Sequence, residues 1–114
     1  MNELPIWDAT ALARMMGDNP VLQRSLHEKF ISRAQEQVLI IVQAAENGDM
    51  VKVGSTAHAL KSSSRTIGAI QLGELCMNIE NAGKTGDRTV CNALIKHLNE
   101  TFAKVANTIQ MSLE

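Results

Sequence analysis

Residues 49–83 read DMVKVGSTAHALKSSSRTIGAIQLGELCMNIENAG and contain two helical patterns separated by a glycine. Asp49 is a typical helix-capping residue, and Gly68 is typical of a position just beyond a helix. The spacing of apolar residues predicts one helix over 50–66 and another over 69–82. Because the connection between them is only a few residues long, the second helix must turn back antiparallel to the first. The segment therefore predicts a helical hairpin.

Apolar residues at steps of three or four predict further helices on both sides of this hairpin. The start signal Asp18-Asn19-Pro20 precedes a long apolar stripe, which predicts a helix over 20–47. A short helix over 8–16 comes before it, and a last helix over 88–112 completes the chain. No strand pattern competes with these helices. We therefore expect one all-α domain over residues 1–114, an antiparallel up-and-down four-helix bundle with a short N-terminal capping helix.

The composition narrows the possible classes of function. The chain has 114 residues, and its 45% hydrophobic content is enough for one modest core. Eleven basic and twelve acidic residues give a formal net charge of −1, which argues against nucleic-acid binding. The longest apolar run, residues 38–42, is far shorter than the roughly 20 residues that span a bilayer. We expect a cytoplasmic domain without membrane insertion, with Cys76 and Cys91 as buried thiols.

The helix predicted over 50–66 has two different faces. One stripe is apolar or small and can face a core; it consists of Val53, Ala57, Leu60, Ser64 and Ile67. The other stripe is polar and partly basic; it consists of Gly54, His58, Lys61, Ser62 and Arg65. The core does not need His58, so we expect the surface to display it. His27 and His97 are interpreted as ordinary surface or boundary residues, and Glu80 as a solvent-facing acid.

The region around His58 resembles the histidine phosphotransfer (HPt) domain family. The similar residues are Ala57-His58-Ala59-Leu60-Lys61-Ser62-Ser63-Ser64, Ile67-Gly68-Ala69, Leu72, Leu75-Cys76, Ile79-Glu80, Ala82-Gly83 and Gly86-Asp87. They follow the family pattern, roughly H-x-L-K-G-S-S, a Gly-Ala turn and a leucine-rich helix. The capping helix and the long second helix extend the resemblance over nearly the whole chain. Ser62 departs from the pattern because the family most often has glycine there, although serine is the next smallest polar residue.

The resemblance implies a phosphorelay intermediate in which His58 carries the phosphoryl group. A neutral, exposed imidazole can attack a phosphoryl group without an adjacent activating base. Lys61, one helical turn further on, is placed to neutralise the charge that spreads over the phosphoryl oxygens. Gly54 and Ser62 would leave room for the approaching partner. The predicted partner-binding residues are Gly54, Ser62, Arg65 and Lys84.

By the same resemblance, the partners are the receiver domains of a hybrid sensor kinase, of a response regulator, or of both. The chain itself is expected to be a monomer that holds no cofactor and no metal ion, and the receiver domain is expected to supply Mg²⁺. The sequence leaves open the identity of the partners and the direction of phosphoryl flow. It also leaves open whether the domain is free-standing or the C-terminal part of a hybrid kinase.

Two other classes of function also place a histidine on a helical bundle. In the dimerisation helices of an autophosphorylating kinase, an acidic residue usually follows the histidine, but here Ala59 follows it. The chain also lacks a glycine-rich nucleotide-binding loop, so we expect a phosphocarrier without autokinase activity. The second alternative is a non-catalytic helical adaptor that binds a signalling partner without phosphotransfer. Such an adaptor would keep its activity in the variant His58→Gln, whereas a phosphocarrier would lose transfer.

Overall fold

The structure, a computed structural model, describes residues 4–113, and every regular element in that range is an α-helix. In chain order the helices are α1 (Ala11–Met16), α2 (Pro20–Glu46), α3 (Met50–Ile67), α4 (Ile70–Thr85), α5 (Arg88–Ile95) and α6 (Leu98–Ser112). α2, α3, α4 and the α5–α6 pair form the sides of the bundle, and α1 packs against α3. The predicted all-α bundle with a short N-terminal capping helix is confirmed. None of the helices in residues 4–113 is long and apolar enough to cross a membrane.

Capping side chains and glycines set the ends of the longer helices. Asn19, Asp49 and Asp87 each accept a hydrogen bond from the backbone N–H three residues further on. Each bond satisfies a donor that the first helical turn would otherwise leave unpaired. Gly68 and Gly86 end α3 and α4 with left-handed backbone conformations, which a residue without Cβ adopts at little steric cost. These local signals produce the predicted α3–α4 hairpin.

The core is aliphatic and lies between α2, α3, α4 and the α5–α6 pair. The predicted inward stripe of α3 is confirmed, since all five of its members are buried: Val53, Ala57, Leu60, Ser64 and Ile67. Burial of each large aliphatic side chain stabilises the fold by about 1.5–3 kcal/mol. Cys76 and Cys91 are buried free thiols, as predicted. Burial raises the pKa of Cys76 to about 12, so its thiol stays protonated.

The first helix begins at Ala11 and not at Asp8, where the sequence predicts its start. The backbone N–H of Asp8 donates to the carbonyl of Gly68 over 2.8 Å, and the Trp7 indole N–H donates to the carbonyl of Ile67 over 2.9 Å. These two bonds hold the segment before α1 across the α3–α4 turn. The boundary prediction was wrong because this tertiary contact determines the path of the chain at Asp8.

The single last helix predicted over 88–112 is divided at Lys96 and His97 into α5 and α6. The backbone N–H of His97 bonds to the carbonyl of Leu94, three residues back, where an α-helix would use the fourth. This tighter turn interrupts the helix, and Leu98, directly after it, is completely buried. The prediction of one helix was wrong because the apolar spacing continues across the interruption with no glycine or proline to mark it.

Candidate functional site

α3 and α4 approach each other closely at Gly54 and Gly83. A Cβ atom on Gly83 would lie 2.9 Å from both Cα and N of Gly54 and 3.0 Å from the carbonyl oxygen of Met50. Such distances leave no room for a side chain at residue 83. α4 continues to Thr85 and does not end at residue 82 as predicted, so Lys84 lies in its last turn. The close contact brings side chains of the two helices together just beside it.

His58 lies on the outer side of α3, and its side chain is 60% exposed, as predicted. Glu80 reaches it from α4, with Oε2 2.8 Å from the imidazole Nδ1. Glu80 itself is only 3% exposed, so the interpretation of this residue as a solvent-facing acid was wrong. The physical reason is that α4 turns this part of its surface towards α3. The contact with Glu80 leaves Nε2 as the second, uncommitted ring nitrogen.

Two lysines share the same carboxylate. Lys61 Nζ donates to Glu80 Oε1 over 2.7 Å, and Lys84 Nζ lies 3.2 Å from Glu80 Oε2. The Lys61 side chain is 17% exposed and that of Lys84 is 69% exposed. We call His58, Lys61, Glu80 and Lys84 the Glu80 cluster. Within it, one buried carboxylate holds a histidine and two ammonium groups on the same side of the bundle.

The charges of the Glu80 cluster determine which ring nitrogen carries a proton. The hydrogen bond from Lys61, and after it those from Lys84 and His58, lower the pKa of Glu80 to about 2 against the opposite effect of burial. The carboxylate is therefore ionised and can only accept hydrogen bonds. Nδ1 of His58 must then be the donor in their contact, and in the neutral form of the ring the lone pair lies on Nε2. The arrangement presents a nitrogen nucleophile beside two cations, which suits attack on a phosphoryl group.

The other predicted partner-binding residues lie in different surroundings. Ser62 and Arg65 are exposed on α3, as predicted, and the Ser62 hydroxyl donates to the carbonyl of His58 over 3.2 Å. Gly54 is buried, and the prediction that it lies on the exposed stripe was wrong because α4 covers it. It lines a shallow depression beside His58 together with Glu80 and other residues of α3 and α4.

Glu80 is the side chain of the site that the sequence interpretation missed. A signal for it was present, because Glu80 and Lys84 have the i, i+4 spacing of a helical ion pair. In addition, His58 and Glu80 lie at similar sequence distances from the turn at Gly68. An antiparallel hairpin centred on that turn makes the two residues neighbours.

The sequence predicts that His27 is an ordinary surface or boundary residue, but its side chain is buried, with only 5% of the residue exposed. Neither of its ring nitrogens has a hydrogen-bond partner. Its ring packs edge-on against Trp7, with a centroid separation of 5.4 Å. Burial lowers the pKa of His27 and thereby favours the neutral form of its ring in the folded protein. His97 is exposed, as predicted.

A second, mostly apolar depression of about 400 Å³ lies between α1, α2 and α3. Its wall includes the exposed Met15 and the polar Ser63 and Thr66 of α3, and it also includes the cationic residues Lys29 and Arg33 of α2. We call it the α1–α2 groove. Within residues 4–113, no group of three His, Cys, Asp or Glu side chains is placed to hold a metal ion.

Comparison with known proteins identifies one matching family and two solved structures with a similar fold. Residues 25–108 match the model of the Hpt domain family. Histidine-containing phosphotransfer protein B from Pseudomonas aeruginosa has a crystal structure with a TM-score of 0.89 and 24% sequence identity, covering 97% of this chain and 96% of that one. A rice protein described as a histidine-containing phosphotransfer protein has a TM-score of 0.80 and 24% identity, covering 95% of this chain and 79% of that one.

No curated protein sequence is significantly similar to the chain. At 24% identity the two solved structures show that the helical bundle is shared. The family model spans most of the sequence and includes the whole α3–α4 hairpin with the Glu80 cluster. The chain therefore belongs to the Hpt domain family, the histidine phosphotransfer proteins of phosphorelays.

Proposed function

We propose that His58 carries the phosphoryl group in the histidine phosphotransfer reaction of this Hpt domain, and that phosphorus binds to Nε2. The observation that supports this most strongly is the contact between Glu80 and Nδ1, 2.8 Å long, in a ring that is otherwise 60% exposed. The carboxylate occupies one ring nitrogen and leaves the lone pair of the other available to a partner.

In the proposed reaction, Nε2 of His58 attacks the phosphorus of a phosphoaspartate on a receiver domain. An N–P bond forms, and the electron pair of the broken P–O bond returns to the aspartate carboxylate. The same exchange in reverse passes the group to a second receiver domain. Charge spreads over the three equatorial oxygens during transfer. We propose that the ammonium groups of Lys61 and Lys84, both bound to Glu80 beside the ring, stabilise this charge.

The proposed partners are receiver domains of a hybrid sensor kinase, a response regulator, or both, and the receiver would bring the Mg²⁺ that the reaction uses. His58, Ser62 and Thr66 follow one another at steps of four along α3, and this row leads from the site to the α1–α2 groove. The apolar wall of the groove offers a dry contact, and Lys29 and Arg33 complement an acidic partner. We propose that the receiver covers the row and the groove together.

We further propose that the protein is a monomeric, cytoplasmic phosphocarrier without autokinase activity. Ala59 follows His58, so the acidic neighbour that helps an autokinase take the histidine proton is missing from that position. Incubation with labelled ATP and Mg²⁺ alone should leave His58 unlabelled, and clear incorporation of label would contradict this part of the proposal. Light scattering coupled to size-exclusion chromatography should give the mass of one chain.

The variants His58→Gln and His97→Gln test the central proposal as a matched pair. Both remove an exposed imidazole, but only the first belongs to the Glu80 cluster. After exposure to phosphoramidate, a small phosphoryl donor, the wild type and His97→Gln should carry acid-labile phosphate and His58→Gln should not. Phosphate on folded His58→Gln would mean that another residue is the carrier. If the protein is a non-catalytic adaptor, its binding to a signalling partner should not depend on either histidine.

Ser62→Trp tests the docking face, with Thr108→Trp on the exposed side of α6 as its control. A bulky ring at Ser62 should obstruct the row that leads from His58 to the groove, because interface cores exclude misfitted side chains. Transfer from phosphorylated receiver domains should therefore slow strongly in Ser62→Trp and stay unchanged in Thr108→Trp. Wild-type transfer by Ser62→Trp would show that the receiver docks elsewhere. The same assay, run over each receiver domain of the source organism, ranks the candidate partners.

A further inference from the structure

His27 is a buried, titratable side chain that the phosphotransfer site does not use. The residue is only 5% exposed, and neither ring nitrogen has a hydrogen-bond partner among the described residues. The ring packs against Trp7 with a centroid separation of 5.4 Å. Burial of a charge without a partner is unfavourable, so burial lowers the pKa of His27. The packing at His27 therefore favours the neutral ring over the protonated one.

The charged groups near His27 offer a protonated ring no compensation. His27 borders a depression at one end of the bundle, which is lined by the segment before α1, the start of α2 and the end of α6. Among the described residues of this lining, the permanently charged one is Arg24, which is itself a cation and pairs with Glu28 on the same helix. In the segment before α1, the carboxylate of Asp8 pairs with Arg14. Both of these carboxylates are thus already bound to arginines.

Trp7 connects His27 to the α1 side of the docking surface. The Trp7 indole N–H donates to the carbonyl of Ile67, and the backbone N–H of Asp8 donates to the carbonyl of the residue after Ile67. The Asp8 carboxylate in turn accepts from the backbone N–H and the hydroxyl of Thr10, the residue directly before α1. α1 forms part of the apolar wall of the α1–α2 groove. Displacement of Trp7 would therefore loosen the segment that holds this wall in place.

We propose that His27 and Trp7 form a pH-sensitive latch, in which the neutral His27 ring holds Trp7 in place and protonation of that ring releases Trp7 with the segment leading into α1. Release loosens the α1 wall of the α1–α2 groove, so acidification slows phosphotransfer from a receiver domain. The latch itself depends on the packing at His27 alone. Its effect on phosphotransfer rests on the proposed function, in which the receiver covers the groove.

The direction of the pH dependence follows from proton linkage. In the released state the His27 ring has the ordinary histidine pKa of about 6.5, and in the packed state its pKa is lower. The latch is therefore complete above about pH 6.5 and weakens as the pH falls below that value. Each pH unit below about 6.5 should raise the opening equilibrium by up to about tenfold, until the pH reaches the pKa of the packed ring.

Hydrogen exchange at the Trp7 indole N–H and the Asp8 backbone N–H measures this opening, because both groups donate to carbonyls at the end of α3. Their protection is followed by NMR from about pH 7.5 to about pH 5.5, relative to the intrinsic exchange rate at each pH. In the wild type, protection should fall by up to about tenfold per pH unit below about pH 6.5. It should stay constant in His27→Phe, which keeps an aromatic ring but cannot titrate. The control His97→Gln, at an exposed histidine, should match the wild type.

The core of α3 supplies an internal reference for local opening. Leu60 is completely buried, and its backbone N–H should exchange more slowly than the N–H groups of Trp7 and Asp8, because the latch opens while the bundle stays folded. Protection equal to that of Leu60 would overturn the proposal, and so would wild-type protection that stays constant or rises as the pH falls. If His27→Phe does not fold, the wild-type pH series and its comparison with Leu60 still decide the question.

Transfer from a phosphorylated receiver domain gives the functional readout. As the pH falls from about 7.5 to about 5.5, the wild-type rate should decrease relative to the His27→Phe rate, because only the wild type can release the latch. An unchanged ratio of the two rates would overturn the effect on phosphotransfer. Failure of the proposed function gives a different result, because phosphoramidate would then leave His58 unphosphorylated in the folded wild type.

Discussion

Replacing Gly83 with alanine would test the close helix contact on which the functional site depends. The added Cβ would lie 2.9 Å from Cα and N of Gly54 and 3.0 Å from the Met50 carbonyl oxygen. Carbon atoms in good contact are about 3.5–4.0 Å apart, and these neighbours are backbone atoms that cannot rotate away. α3 and α4 would therefore have to separate by about 0.5–1 Å.

The expected loss of stability follows from two opposing effects. Overpacking costs about 1–3 kcal/mol, and we expect the upper half of that range, about 2–3 kcal/mol, because the neighbours are backbone atoms that cannot rotate away. Alanine recovers up to about 1 kcal/mol because it is a better helix former than glycine. The net loss should be about 1–2 kcal/mol, which lowers the Tm of a domain of this size by roughly 3–10 °C.

The matched control is Gly54→Ala, on the other side of the same contact. Its Cβ would lie 3.7 Å from the Glu80 carbonyl oxygen, an ordinary contact distance, so only the gain in helix propensity should remain. Thermal and urea unfolding should show Gly83→Ala destabilised and Gly54→Ala unchanged or up to about 1 kcal/mol more stable. Separation of the helices should also slow the phosphorylation of His58 by phosphoramidate in Gly83→Ala. Equal stability of Gly83→Ala and the wild type, or a larger loss in Gly54→Ala, would refute the reasoning.

Three further changes probe the charged groups. Burial lowers the pKa of His27, so near pH 6.5 the unfolded chain binds a proton that the folded protein does not. The free energy of unfolding measured in urea should therefore decrease as the pH falls below about 6.5. The variant His27→Phe should remove this pH dependence. The pKa of Glu80 is lowered from 4.5 to about 2, so its contribution to the free energy of unfolding is complete above pH 4.5 and is lost as the pH falls towards 2. If the stability of Glu80→Gln fell with pH in the same way as that of the wild type, this expectation would be contradicted. Lys61→Ala should slow phosphotransfer by about 10- to 100-fold because it removes one of two cations beside the phosphoryl group, whereas Lys104→Ala, an exposed lysine of α6, should not change the rate.

The positions of the helices and the display of His58 follow from local rules, and the sequence predicts them well. Caps such as Asp49 and end signals such as Gly68 act within one helical turn, so they do not depend on the rest of the fold. The apolar spacing of α3 identifies its buried stripe for the same reason, because a helix can bury only one face against a core. The exposure of His58 is the complement of that stripe.

The surroundings of His58 depend on contacts between elements that are distant in sequence. Periodicity shows which side of a helix is apolar, but it does not show that the carboxylate of Glu80 is buried against the His58 ring and the Lys61 ammonium group of another helix. Likewise, the burial of Gly54 depends on how closely α4 approaches α3, and the burial of His27 depends on Trp7 packing over it. An ionised side chain is stable in such a position only when its partners are supplied from elsewhere. The local pattern thus specifies a bundle that displays a histidine with Lys61 one turn away, and the packing of α4 against α3 adds the carboxylate of Glu80 and the second lysine, Lys84.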